Sequence, residues 1–389
     1  QLIIIDMGRI TDGFVKDVGM NLWIAVSSNC PSLRFPASSS LINEAETVFM
    51  NRLNTFPPGC LEYNHLLEHK YLKKKHWMYA IFMAAMESLP LLYQTCPRKG
   101  ILHSVLGKCY LGTSSKLLDN LNDEIHTVEE ALSSLENYLG ALLYGTYERK
   151  SGSVVEMAES SACEMAAWIY QCLDTDSPAF SLYVEDCCNL VEGQISSLKH
   201  KSAEWPSLKE YANTIAEKSI GDVWIDIDLC NFDELDEELL LLKKGNEYIF
   251  KSSLVYDDVQ DLVEDIQTQS VNSVLVRGVE EDVITLDDLE KMEPTNIVEI
   301  LEKTGIVHDI ICLADAFFLK GVSTFLEMET SSVDKRGLLQ SFRLVRLFNL
   351  RKLLLAKRDL ETLKKVLESF SDFQSLKNRI PEEIDTLVN

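Results

Sequence analysis

Apolar residues recur at helical spacing through most of the 389-residue chain, whereas period-two alternation is rare. This pattern predicts an all-α protein, a bundle of ten or more helices around a central cavity. The predicted helices span residues 45–53, 61–93, 101–124, 127–149, 154–173, 180–200, 206–228, 234–244, 247–268, 295–303, 307–327 and 336–377.

Turn and cap residues divide these helices. Thr127, followed by Glu130, is typical of a helix N-cap, Gly245-Asn246 predicts a helix end, and Pro90 predicts a kink. We expect three units along the chain. They are an N-terminal extension over 1–40, a helical domain over 41–330 and a basic helical extension over 331–389.

An acidic stretch at residues 252–265 interrupts one apolar helical segment. Asp257, Asp261 and Asp265 lie one turn apart on a single helical face, with Asp258 beside them. Carboxylates stacked in this way repel each other and attract cations. Mg²⁺ is the expected ion, because it prefers hard oxygen ligands and phosphates.

A second acidic stretch lies earlier, at residues 116–124. Asp119 and Asp123 are again one turn apart, and Asn120 lies beside them. Either stretch alone would equally suit a solvated helix face. If both face one cavity, together they predict a cluster of Mg²⁺ ions that a diphosphate bridges.

The two stretches resemble the Asp-rich motifs of the trans-isoprenyl diphosphate synthases. DDVQD at 257–261 is similar to the second motif, and DNLND at 119–123 to the first, with Asn120 in place of the usual Asp. Between them, Gly193-Gln194 resembles the family's Gly-Gln pair. Tyr211 and Lys218-Ser219 resemble its Tyr…Lys-Thr segment. The resemblance covers about residues 66–273.

The resemblance implies a class I isoprenoid-synthase-like bundle that ionises a prenyl diphosphate and works as a homodimer. It implies catalytic roles for Lys218 and Gln194. The metal ligands that it implies are Asp119, Asp123, Asp257, Asp258, Asp261 and Asp265. The substrate contacts that we expect are Ser114, Ser115, Asn120, Tyr211 and Lys218.

Ser114 and Ser115 lie just upstream of the first motif, where large residues close the substrate pocket in the resembling family. Their small size favours a long prenyl substrate or product. Further along, the charged positions Asp222, Asp226 and Asp228 favour a partly exposed helix face.

Several family features are missing. No arginine follows the first motif before Arg149, so the site for isopentenyl diphosphate is altered or lost. Three functions stay open. The first is a divergent prenyl diphosphate synthase that uses Lys70, Lys73 or Arg98 for the second diphosphate. The second is a class I terpene synthase acting on one prenyl diphosphate, and the third is an inactive scaffold or regulatory homologue.

Composition limits the binding partners and the cellular compartment that we expect for this protein. A net charge of −24 argues against nucleic-acid binding. Ten cysteines without a CxxC pair indicate reduced thiols and a cytoplasmic protein. The cationic segment 336–377 could pack on the bundle, bind a partner or make peripheral contact with an anionic membrane.

Overall fold

The computed structural model describes residues 20–21, 23–25, 27–199, 205–214, 219–268, 270–350 and 372–388, apart from the side chains of residues 123, 124, 197–199 and 348. Within these ranges the protein is helical and contains no strand, so the all-α prediction is confirmed. None of the helices in the described part of the chain is long and apolar enough to cross a membrane.

After a 3₁₀ turn at Pro31–Leu33, seventeen α-helices follow in the described ranges. The first nine are α1 (Phe35–Leu53), α2 (Tyr63–Glu68), α3 (Lys74–Leu92), α4 (Arg98–Glu124), α5 (Val128–Tyr144), α6 (Val154–Tyr170), α7 (Phe180–Lys199), α8 (Leu208–Thr214) and α9 (Gly221–Leu229). The others are α10 (Glu237–Thr268), α11 (Ser273–Glu280), α12 (Leu286–Lys291), α13 (Pro294–Lys303), α14 (Ile306–Glu327), α15 (Lys335–Asn349), α16 (Phe373–Lys377) and α17 (Glu382–Asp385).

Local sequence signals set several helix ends. Thr127 caps α5 as predicted, since its hydroxyl accepts from the Glu130 amide while the Glu130 carboxylate accepts from the Thr127 amide. The helix ends at Gly145, which has the left-handed φ of 64°. The predicted helix 61–93 is instead two helices that separate at residues 69–73, and Pro90 lies inside α3.

The predicted helix end at Gly245-Asn246 is wrong, because α10 continues through both residues. Gly245 serves close packing instead of termination. A Cβ atom there would lie 2.6 Å from Phe325 of α14, and one at Gly321 of α14 would lie 2.9 Å from the Gly245 carbonyl oxygen. The backbones of α10 and α14 therefore touch at this point.

We expect Gly321→Ala to destabilise the fold by about 1–3 kcal/mol, because the new methyl group meets backbone that cannot rotate away. The control is Gly140→Ala in α5, where a Cβ atom would meet only the Thr146 carbonyl oxygen at 3.4 Å. There the gain in helix propensity, up to about 1 kcal/mol, should dominate. Urea unfolding of both variants measures the difference, and equal destabilisation would contradict the role of Gly321.

The short helix α9 lies among α3, α4, α7 and α10. Along α10, Lys243 contacts Asp226 of α9 at 2.6 Å, and the later residue Asn246 donates to the earlier Gly221 carbonyl at 2.6 Å. Along α4, Lys108 pairs with Asp228 near the end of α9, and the later residue Gly112 lies beside the earlier residue Trp224. Both α4 and α10 therefore run antiparallel to α9 and in the same direction as each other.

The helix α15 packs on α3, α10 and α14, although we expected a basic extension in this part of the chain. Its Arg346 is buried and bonded to Asp315 and Tyr256, at 2.8 and 3.0 Å. The Ser341 hydroxyl donates to the Met86 carbonyl at 2.5 Å. Residues 351–371 lie outside the described residues, as do 1–19. The unit boundaries at 40 and 330 stay predictions.

Candidate active site

Trp224 of α9 lies between the two helices that carry the acidic stretches. A Cβ atom at Gly112 of α4 would be 3.5 Å from its ring, and the ring of Phe250 of α10 is 5.8 Å from it. Gly112 precedes Asp119 by seven residues (119 − 112), and Phe250 precedes Asp257 by seven (257 − 250). Each aspartate thus lies two turns, about 10 Å, beyond Trp224 on the side of its helix that faces α9.

The helix α9 begins at Gly221 and so does not reach the level of these aspartates. Asp119 and Asp257 are both exposed, as expected if they border a space beyond the α9 N-terminus. A helix N-terminus carries a partial positive charge, which favours anions in that space. Lys218 falls in the segment 215–218, which lies outside the described residues, and so does the Asp123 side chain.

The carboxylate of Asp258 accepts hydrogen bonds from uncharged groups on two other helices. Its carboxylate accepts from the Tyr211 hydroxyl at 2.9 Å and from the Ser273 amide and hydroxyl at 3.0 and 2.6 Å. Burial raises the pKa of Asp258 to about 7, against the effect of these hydrogen bonds. The contacts join α8, α10 and α11, and they bring two predicted site residues, Tyr211 and Asp258, together.

Asp265 lies one turn after Asp261 and is half-buried. Its carboxylate accepts from the buried Asn272 amide at 2.6 Å. Burial raises the pKa of Asp265 to about 6, and the charges of Asp261 and Asp257 add to the rise. These three carboxylates therefore lie close enough to interact. Sequence reasoning missed Asn272, although an Asn before the apolar run 274–276 is typical of an N-cap.

The first acidic stretch lies beside the basic segment 70–75. The Asn120 amide donates to the Tyr71 carbonyl at 2.9 Å, and Asp119 pairs with Lys116 at 3.0 Å. The four lysines of the segment, Lys70, Lys73, Lys74 and Lys75, are exposed. They place positive charge beside the first acidic stretch.

Arg98 does not belong to this region. It is the first residue of α4, and the 21 residues to Asp119 (119 − 98) correspond to about 30 Å along the helix. Its guanidinium pairs with Glu44 at 2.8 Å instead. The expectation that Arg98 holds a second diphosphate is therefore wrong, because the residue lies at the opposite end of α4.

Ser114 and Ser115 are buried against α5. Their hydroxyl oxygens lie 2.7 and 3.0 Å from the hydroxyl of the fully buried Tyr138. The phenol of Tyr138 occupies the space that the two small residues leave, so they open no path for a long tail at this point. Their contact with substrate stays a prediction.

A cleft of about 470 Å³ lies between α7, α9 and α10. Gly193 of the Gly-Gln pair and Ser219 of the Lys-Ser pair both line it, so two features of the sequence resemblance meet here. The cleft is acidic, because Asp186, Asp222 and Glu247 also line it. Gln194, next to Gly193, is half-buried, and its catalytic role stays a prediction.

No protein-family model matches the sequence, and no curated protein matches it. The structure is similar to a geranylgeranyl pyrophosphate synthase, with a TM-score of 0.52 and 13% identity over 80% of this chain and 98% of that one. It is also similar to the geranylgeranyl pyrophosphate synthetase from Pyrococcus horikoshii Ot3, with a TM-score of 0.50 and 14% identity over 84% and 98% of the two chains. The chain has the isoprenoid synthase fold.

The resemblance implies Mg²⁺ as the bound ion, and the acidic residues are its candidate ligands. Among the described residues, no three His, Cys, Asp or Glu side chains converge as a ready-made ligand group. Mg²⁺ commonly takes one or two carboxylates together with waters and substrate phosphates. The carboxylate row of Asp257, Asp261 and Asp265 on α10 fits an ion that arrives with a diphosphate.

The centre of this isoprenoid synthase fold holds a buried charged group that the sequence did not predict. Lys108 of α4 lies 2.9 Å from Glu87 of α3 and also pairs with Asp228 of α9, which accepts from Ser88 at 2.7 Å. The Trp224 indole N–H donates to Glu87. The partly exposed face expected for Asp228 is wrong, since Lys108 neutralises it in the core. A lysine within the apolar run 105–111 is the sequence feature that could have indicated a buried charge.

Asp226 is also fully buried, contrary to expectation, and it pairs with Lys243 of α10 at 2.6 Å. Lys243 contacts Asp186 of α7 as well, so one ammonium group joins three helices. Asp222, one turn before Asp226, is half-buried and lines the acidic cleft. Of the three aspartates, only Asp222 lies near the surface as expected.

A pH-dependent loss of stability should follow from Asp226. Burial raises its pKa to about 8, although the Lys243 ammonium opposes the rise. Its contribution to stability is therefore fully present below about pH 4 and is lost as the pH rises towards 8. We expect Asp226→Asn to flatten the fall in Tm between pH 5 and 8, whereas the exposed control Asp233→Asn should not. Parallel wild-type and Asp226→Asn curves would contradict this.

Proposed function

We propose that this protein binds an allylic prenyl diphosphate between the acidic faces of α4 and α10, ionises it, and transfers the prenyl group to a second substrate. One observation carries the proposal. Both acidic faces lie two turns beyond the same tryptophan, on parallel helices of an isoprenoid synthase fold. The proposal is that these carboxylates, distant in sequence, border one space.

In this proposal Asp119, Asp257 and Asp261 hold the cations that accompany the diphosphate, with Asp265 completing the row on α10. Bound Mg²⁺ would supply positive charge that stabilises the departing diphosphate. The α9 N-terminus and the lysines of segment 70–75 draw the anion into place. Lys218, which precedes α9 in sequence, is the proposed direct cation for the phosphate oxygens.

The hydrocarbon tail points down between α4 and α10 towards Trp224 and Phe250. Phe250 packs against the apolar core, which keeps water away from an allylic cation. Its ring face also attracts a cation through the ring quadrupole. The chain's own contribution is to orient the tail and protect the cation until it reacts.

A second candidate is cyclisation or rearrangement of one prenyl diphosphate. The ring of Phe250 favours it, because a cation held on an aromatic face can react within its own tail. The absence of arginine between Asp123 and Arg149 also favours it, because the resembling family binds its second diphosphate through arginines there.

The test is incubation with geranyl, farnesyl and geranylgeranyl diphosphates plus Mg²⁺, each with and without isopentenyl diphosphate. Longer diphosphates formed only with isopentenyl diphosphate would support prenyl transfer. A hydrocarbon or alcohol formed from the single substrate would support the second candidate. No Mg²⁺-dependent diphosphate release from any of them would reject both and leave a scaffold or regulatory role. Light scattering of the same sample tests the predicted homodimer.

A further inference from the structure

Asn120 stands where the first Asp-rich motif of the resembling family usually has an aspartate, and its side chain has a partner outside the motif. The amide nitrogen lies 2.9 Å from the carbonyl oxygen of Tyr71. Because a carbonyl oxygen only accepts hydrogen bonds, the donor must come from residue 120. An ionised aspartate has no donor and would place a second acceptor against this oxygen. Asparagine is therefore the residue that fits this contact, and aspartate does not.

Tyr71 belongs to the loop 69–73, which joins α2 to α3. Lys70, the residue before it, has a φ of 61°, in the left-handed region that residues with a side chain rarely adopt. A residue stays in that region only where the surrounding contacts determine its conformation. Within the loop, the Leu72 amide donates to the Leu66 carbonyl at 3.2 Å. This bond folds the loop back on α2, whereas the bond to the Tyr71 carbonyl ties it to α4.

The tie to α4 joins a cationic segment to an acidic one. Lys70 precedes Tyr71 directly, and Asp119 precedes Asn120 directly. Lys70 and Asp119 are both exposed. A diphosphate can bind a cation held by a carboxylate and can also accept directly from an ammonium group. One hydrogen bond thus joins the segments that carry the two kinds of group.

We propose that Asn120 is a positioning residue. Its amide holds the loop 69–73 beside the first acidic stretch, so that the Lys70 ammonium binds the diphosphate directly while Asp119 holds a cation. This inference rests on the proposed function. It assigns Asn120 a role other than metal ligation, so an aspartate at this position should weaken diphosphate binding instead of supplying a further ligand.

The experiment measures the affinity for inorganic diphosphate by calorimetry in Mg²⁺. Asn120→Ala should weaken binding about tenfold, because the loop and its ammonium group are released. Asn120→Asp should weaken it further, since the new carboxylate repels both the Tyr71 carbonyl and the diphosphate. Lys70→Gln should weaken binding by about the same factor as Asn120→Ala. The double variant Asn120→Ala/Lys70→Gln should bind no more weakly than Lys70→Gln alone, because the two residues act as a unit.

The matched control is Asn137→Ala in α5. The Asn137 amide also donates to a loop carbonyl, that of Glu148 at 2.8 Å, and the residue is half-buried like Asn120. Its truncation removes the same kind of contact and should leave diphosphate affinity within about twofold of the wild-type value. A thermal melt of each variant shows that it is folded. Trypsin should cleave after Lys70 about tenfold faster in Asn120→Ala than in Asn137→Ala, because only the first change releases the loop.

Three results would overturn the inference alone. The first is an Asn120→Asp variant that binds diphosphate as tightly as the wild type or more tightly, as a metal ligand would. The second is an Asn120→Ala variant whose affinity falls no more than that of Asn137→Ala. The third is a double variant in which the two losses multiply, since Asn120 would then not act through Lys70. Wild-type protein that binds no diphosphate in Mg²⁺ would overturn the inference together with the proposed function.

Discussion

Replacing Lys108 with methionine is expected to destabilise the fold by about 3–5 kcal/mol, because the change leaves buried carboxylates without their cation. Lys108 is fully buried between Glu87 and Asp228, which are also buried. Methionine fills nearly the same volume, so the loss reports on charge more than on packing. Urea unfolding at pH 7 measures it.

The pH dependence of this effect identifies its cause. Burial raises the pKa of Asp228 to about 6, and the Lys108 ammonium restrains the rise. Without Lys108 the pKa rises further, and a carboxyl group with a raised pKa stabilises the fold at low pH and loses that contribution as the pH rises. The destabilisation should therefore be smaller at pH 5 than at pH 8.

The control is Lys303→Met in α13, where the lysine pairs with Glu299 and both side chains are exposed. Such exposed pairs contribute little to the stability of the fold. If the two lysine variants lose similar stability, or if the Lys108 variant shows no pH dependence, the buried charged group does not hold the core as described.

Asp257→Asn is expected to lower diphosphate release by about 100-fold or more while leaving stability within about 0.5 kcal/mol. Asp257 is exposed on the face of α10 that points beyond α9. The amide keeps the size of the side chain and removes its charge. Activity assays with Mg²⁺ and a thermal melt measure the two quantities.

The neighbouring Asp258 supplies the matched comparison. Its carboxylate accepts three hydrogen bonds from Tyr211 and Ser273. In Asp258→Asn the amide nitrogen would face one of these donors, at a cost of about 1–3 kcal/mol. Activity per folded molecule should fall much less than in Asp257→Asn. The reverse order of the two effects would show that the catalytic face of α10 has been misassigned.

Periodicity predicted the helices well where one face is apolar, as in α5 with its Thr127 cap. It also placed the acidic residues of each stretch on one helical face. It could not predict that Asp226 and Asp228 are buried, because their lysine partners lie on other helices. Lys108 is 120 residues away from Asp228, and only the fold brings them together.

The helix end predicted at Gly245 is wrong for a related reason. Gly245 has the local signature of a helix end, but a close contact with α14 explains its presence. Trp224 carried no chemical signal in the sequence, because its importance comes from helices that meet there. In each case the role of the residue depends on contacts between segments that are distant in sequence. The residue pattern within one segment gives no information about such contacts.

Because α4 and α10 run parallel, negative electrostatic potential is concentrated at one end of the bundle. The helix α4 ends at Glu124, soon after Asp119, and α10 ends at Thr268, soon after Asp265. The carbonyl ends of both helices thus add their partial negative charge to the carboxylates there. Mutual repulsion weakens this end of the molecule when counterions are scarce, so dissolved salt alone, without any substrate, should raise its melting temperature.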